Sequence, residues 1–158
     1  MKTIVIGLGN PILGDDGVGW QVVEEMEKRS LPSLTIAYEC LSLGGIGLME
    51  RMIGYDRAIL IDAFVSNEDE VGTILIRHLS DLPDYSAFHT TSAHDTSLQN
   101  ALRLGQAIGA HLPEDVIVIG IAIRRIREFG DKLSRPVAEV VSEAAHIALN
   151  LLQNKVIV

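Results

Sequence analysis

The sequence predicts an α/β fold of three layers, with helices on both faces of a mainly parallel, twisted sheet of about five strands. Three observations carry this. Short β-branched runs are bounded by glycine or charge, the stretches between them space apolar residues by three and four, and the two kinds of segment alternate along the chain. Parallel neighbours need a crossover, and a helix supplies it. No repeat, low-complexity tract or linker interrupts the alternation, so residues 1–158 are expected to form one domain.

The first strand is expected at Thr3–Leu8, the second at Leu34–Glu39, the third at Arg57–Asp62, the fourth at Thr73–His78 and the fifth at Asp115–Gly120. The first, third and fifth are almost wholly apolar, as strands buried on both faces are. The fourth alternates apolar and polar residues, as a half-exposed edge strand does. Val18, Val22 and Met26 make the stripe of a first helix, and Leu98, Ala101, Leu102, Gly105 and Ile108 that of a later one. Val137, Val140, Val141, Ala144, Ala148 and Leu151 mark a closing helix, with Pro136 in its first turn, where the missing N–H does no harm.

Composition narrows the function. With 47% hydrophobic and 22% charged residues the chain reads as a soluble globular protein. A formal charge of −8 repels phosphate backbones and anionic lipid, so neither nucleic acid nor membrane is an expected partner. No secretory pattern or membrane-length apolar run is present, and a cytoplasmic location is expected. Cys40 is the single cysteine, which excludes an internal disulfide and any multi-cysteine metal site within one chain, and it reads as a buried structural thiol.

The loop after the first strand, residues 7–19, sits where nucleotide-binding proteins cradle phosphate. Both phosphate patterns fail. A dinucleotide fingerprint from Gly7 needs glycine at Ile12, and a Walker loop from Gly9 to Gly14 needs lysine and a hydroxyl where Asp15 and Asp16 stand. Two carboxylates repel phosphate. They suit helix capping or a cation instead, and since both cannot cap equally well, one should face the upper edge of the sheet.

Asp62, expected at the carboxyl end of the central strand, can converge with Asp16 in the crevice that open α/β sheets form there. A polar loop, residues 90–98, brings a third candidate in His94, with His89 as its rival. His78, His111 and His146 are explained by solvation or packing. Two carboxylates and one imidazole form a mixed hard and borderline ligand set, suited to nickel, zinc, manganese or iron with open coordination positions. Cys40 and Ser92 lack the surroundings of a catalytic nucleophile, and no zinc-protease helix motif is present. Arg124, Arg125 and Arg127 form the one basic cluster, read either as a solvated loop or as a contact for an acidic patch on a partner.

The Gly7-x-Gly-Asn10 turn, the Asp15-Asp16-Gly17-x-Gly19 helix entry, the Asp62-Ala63 pair and the Ser92-x-His94 loop together resemble the hydrogenase maturation proteases, in order and spacing and across essentially the whole chain. The resemblance implies a five-stranded sheet between helices. It also implies an endopeptidase that clips a C-terminal extension from the large-subunit precursor of a nickel-iron hydrogenase after nickel insertion. Asp16, Asp62 and His94 fall on the family's metal-contacting positions, the first of which is Glu or Asp in the family. The nickel is then expected to arrive with the precursor, and the same three residues are the catalytic candidates. A non-enzymatic nickel-binding maturation chaperone, and a small-molecule hydrolase or nucleotide-binding regulator on the same scaffold, are the alternative readings.

Overall fold

The computed structural model describes residues 1–30, 35–83 and 96–153. Strands β1 (Thr3–Leu8), β2 (Ile36–Leu41), β3 (Arg57–Val65), β4 (Ile74–His78) and β5 (Asp115–Ile123) form one sheet in the order β2-β1-β3-β5-β4. β1 pairs in parallel with β2 and β3, and β3 with β5; only β4 runs antiparallel, along the outer side of β5. The helices are α1 (Val18–Arg29), α2 (Gly45–Arg51), α3 (Leu98–Ala107) and α4 (Arg135–Gln153). A 3-10 turn at Gly14–Gly17 leads into α1.

The alternation of side chains along a strand sorts the sheet's residues onto two faces. Ile4, Ile6 and Leu8 of β1, with Ala58 and Leu60 of β3, pack with Leu48 and Met49 of α2 and Leu98, Ala101 and Leu102 of α3. Val5 of β1, Ile59, Ile61 and Ala63 of β3, and Ile117, Ile119, Ile121 and Ile123 of β5 pack on the opposite side. Their partners there are Val18, Val22 and Met26 of α1 and Val137, Ala144, Ala148 and Leu151 of α4. The expected stripes are the buried ones except at Ile108, which follows the last residue of α3 and is 77% exposed, and at Val140 and Val141 of α4, which are partly buried. The three layers are α1 and α4, the sheet, then α2 and α3.

The structure lengthens and shifts some strands. β3 and β5 run three residues past the expected ends at Asp62 and Gly120, because each stays paired with the other from Asp62↔Gly120 to Val65↔Ile123. β2 begins and ends two residues later than expected; Leu34, in its expected range, lies outside the described residues. β4 is the expected edge strand. Among the described residues no helix is long and apolar enough to cross a membrane.

A candidate active site at the carboxyl edge of the sheet

The order β2-β1-β3 makes a topological switch point between β1 and β3, the place where open α/β sheets leave a crevice at their carboxyl ends. β1 stops at Leu8, and its last pair with β3 is Gly7↔Ile61. Asp62 is the next residue of β3. It lies inside that strand rather than at its end, but it marks the point where β1 ceases to cover β3. It shares the face of Ala58 and Leu60, the side covered by α2 and α3, and is 2% exposed.

Asp16 reaches the same edge from the 3-10 turn, which packs against β3. It is 7% exposed, and its Oδ2 accepts a hydrogen bond from the backbone N–H of Asn10 at 2.8 Å. Gly9 makes this possible: its φ is +137°, and a Cβ there would stand 1.9 Å from the Asp16 carbonyl oxygen. Gly19 sets the helix behind the turn. Any side chain at Gly19 would meet the carbonyl oxygens of Ile61 and Leu8 at 2.3 and 2.5 Å, so α1 starts directly on β1 and β3, where β1 ends beside Asp62.

The two adjacent acids have separate tasks, and neither caps α1, whose N-cap residue is Gly17. Asp15 turns away from the sheet. Its Oδ1 accepts the Ser134 N–H at 2.6 Å and its Oδ2 accepts the Ser134 hydroxyl at 2.8 Å, which ties the turn to the residue preceding α4. Asp16 is the acid at the sheet's upper edge. Asp16 and Asp62 are thus both buried carboxylates on one edge, each costly to place there without compensation. Their oxygens are hard donors of the kind a divalent metal takes.

His94, His89 and Ser92 lie outside the described residues; the described chain resumes at Thr96. Among the described residues no three histidine, cysteine, aspartate or glutamate side chains cluster closely enough to hold a metal ion. The other histidines have partners elsewhere. His78 faces Asp115 at 3.2 Å, His111 faces Asp56 at 2.9 Å, and His146 meets the Asn150 side chain at 3.1 Å.

A family model described as hydrogenase maturation protease matches residues 20–151. The chain belongs to the hydrogenase maturation protease family. It is therefore an enzyme of the peptidase class. Similar proteins include the hydrogenase expression/formation protein HupD of Rhizobium leguminosarum bv. viciae, 27% identical over 97% of this chain and 75% of that protein. The hydrogenase 2 maturation protease of Escherichia coli K12 is 29% identical over 77% of this chain and 73% of its own length. The solved structure of the hydrogenase maturating endopeptidase HybD from E. coli superimposes with a TM-score of 0.80 at 25% identity, covering 97% of this chain and 93% of that one. The switch-point edge thus belongs to a maturation protease fold.

Cys40 lacks the surroundings that activate a thiol. It is half-buried on β2 with its Sγ 3.8 Å from the Trp20 carbonyl oxygen, and burial pushes the thiol up to about 11, with the carboxylates of Glu24 and Glu27 adding to the rise. A raised value means a neutral thiol through the physiological range, with the thiolate appearing only as the pH climbs toward 11. Alkylation of Cys40 at pH 8 should then run on the order of a hundred-fold slower than that of an ordinary thiol of pKa ~8.5. A rate profile by mass spectrometry that already plateaus below pH 9 would contradict this.

The sequence missed the tethers around the site. Gly130 forms a parallel bridge to Leu13, its carbonyl accepting the Gly14 N–H at 2.7 Å and its N–H donating to the Ile12 carbonyl at 2.8 Å. Arg124 donates to the carbonyl oxygens of Ser66 at 2.5 Å and Asp69 at 2.8 Å, so one member of the basic cluster holds the β3–β4 loop. These contacts join residues far apart in sequence and have no local signature.

Proposed function

We propose that this protein removes a C-terminal extension from the large-subunit precursor of a nickel-iron hydrogenase after nickel insertion, using the substrate's own nickel as its recognition element. The observation that carries this reading is the pair of buried carboxylates, Asp16 and Asp62, on the switch-point edge of a maturation protease fold. With His94 they supply two hard oxygens and one imidazole, donors that complement a nickel ion already held by thiolates of the precursor. The two acids are also the groups available to take a proton from the attacking water.

On this reading the enzyme acts on its precursor as a checkpoint, because a precursor without nickel offers no ligand for the edge. Purified protein incubated with nickel-loaded and nickel-free forms of the matched precursor should shorten only the loaded form, read as intact mass over time. Equal shortening of both would remove nickel from the proposal and leave a protease. A loaded precursor that binds and keeps its full mass would overturn the proposed reaction.

A further inference from the structure

The segment between β5 and α4, residues 124–134, is pinned at both ends and in its middle. Arg124 is bonded to the carbonyls of Ser66 and Asp69, Gly130 is bridged to the loop before Asp16, and Ser134 is held by Asp15. Two of its apolar residues, Ile126 and Leu133, tuck against the core on the side of α1 and α4. Phe129, between them, is 81% exposed. Ile12, across the bridge, is 55% exposed. The Gly130 N–H donates to the Ile12 carbonyl at 2.8 Å, so the backbones of Ile12 and of the Phe129–Gly130 pair lie side by side.

An isolated exposed apolar residue means little. Here the backbones of two are held together by hydrogen bonds across a single bridge, and Ile12 precedes the Asp15–Asp16 turn by only three residues. An aromatic side chain carried on a backbone already pinned by hydrogen bonds has less freedom to lose on binding, and aromatic residues are among those that dominate interfaces. The charge beside it is also unusual. Residues 124–132 carry four cations, Arg124, Arg125, Arg127 and Lys132, against two carboxylates, Glu128 and Asp131, in a chain whose formal charge is −8. Arg125 and Arg127 are exposed, and among the described residues neither forms an ion pair.

We infer that this strap is a specificity-determining docking surface for the precursor, with Phe129 and Ile12 receiving an apolar side chain and Arg125 and Arg127 receiving carboxylates of the same precursor segment. The occupant is therefore an acidic, apolar-bearing stretch of the large subunit, placed by the strap so that its cleaved bond lies over Asp16 and Asp62. This rests on the proposed function. The strap selects the precursor; the edge carboxylates act on it.

The test uses the full-length protein and the nickel-loaded precursor, with cleavage kinetics and binding titrations run in parallel on Phe129→Ser and on the double variant Arg125→Glu, Arg127→Glu. Phe129→Ser should weaken binding and raise KM by about ten-fold or more, with the loss carried by KM rather than kcat. The double variant should do the same at low salt, and its deficit should shrink as salt rises, because screening removes the attraction that wild type enjoys. Thermal melts of both variants should match wild type, since none of the three side chains is buried. If wild type cleaves the precursor and both variants keep its KM and affinity, the docking surface is wrong while the proposed function stands. If wild type neither binds nor cleaves the matched precursor, both fail. Should wild type bind without cleaving, the titrations alone decide the strap.

Discussion

Asp62→Asn is expected to lower the rate of precursor cleavage by about 10³-fold or more while leaving the protein folded, with a urea midpoint close to wild type. The two halves of that expectation come from one fact. Asp62 is 2% exposed beside the end of β1, where an ionised carboxylate is costly to bury. Asparagine keeps the shape and one acceptor oxygen but loses the charge, so it loses the ability to take a proton or bind a cation strongly. A residue retained for packing would behave in the opposite way, losing stability and keeping activity. Single-turnover cleavage and a urea titration on the same preparation distinguish the two. Cleavage near the wild-type rate would remove Asp62 from the site.

Such a separation of activity from stability is expected where local rules and global fold disagree, and the strands show where that happens. β1 could be read from the sequence residue for residue, because Thr3–Leu8 is an apolar run closed by a turn. From sequence, β3 and β5 look shorter than they are, for a physical reason. A carboxylate at Asp62 and a glycine at Gly120 resemble terminators, yet the ladder continues through both because each strand holds the other. The same carboxylate that hides the strand's continuation is the candidate functional group. β2, half-buried along its length at an edge of the sheet, gave a weaker pattern, and its boundaries drifted by two residues.

What stayed illegible was non-local. α2 begins among Gly44, Gly45 and Gly47, residues of poor helix propensity, and stands because Leu48 and Met49 bury against the sheet. The contact that separates Asp15 from Asp16 spans 119 residues, from the first loop to the start of α4. Sequence could state that only one of the two acids faces the sheet; the tether to Ser134 decides which. The basic cluster divides in the same manner. Arg124 is occupied by two carbonyls, whereas Arg125 and Arg127 are exposed, which is why the proposed docking rests on those two.

The other large effect is expected at Gly19, and a second glycine sharpens it. On helix propensity alone, Gly→Ala inside a helix gains about 1 kcal/mol. At Gly47 of α2 that gain should appear, up to ~1 kcal/mol, since the new Cβ would find its nearest neighbour, a Leu43 methyl carbon, at 3.9 Å, an ordinary contact. At Gly19 the same methyl would sit 2.3 Å from the Ile61 carbonyl oxygen and 2.5 Å from that of Leu8. Both are backbone atoms of central strands and cannot rotate aside. Relief requires α1 to lift from the sheet, which opens the packing of Val18, Val22 and Met26. The overpacking cost should therefore exceed the propensity gain and leave Gly19→Ala less stable by about 3 kcal/mol. Because the 3-10 turn bearing Asp16 runs directly into α1, the same movement should displace that carboxylate and depress cleavage even at temperatures where the variant is still folded. Denaturant midpoints and cleavage rates for the two variants provide the comparison. Gly19→Ala with wild-type stability would mean that the helix does not stand on β1 and β3, and the assembly of Asp16 with Asp62 at one edge would lose its physical basis.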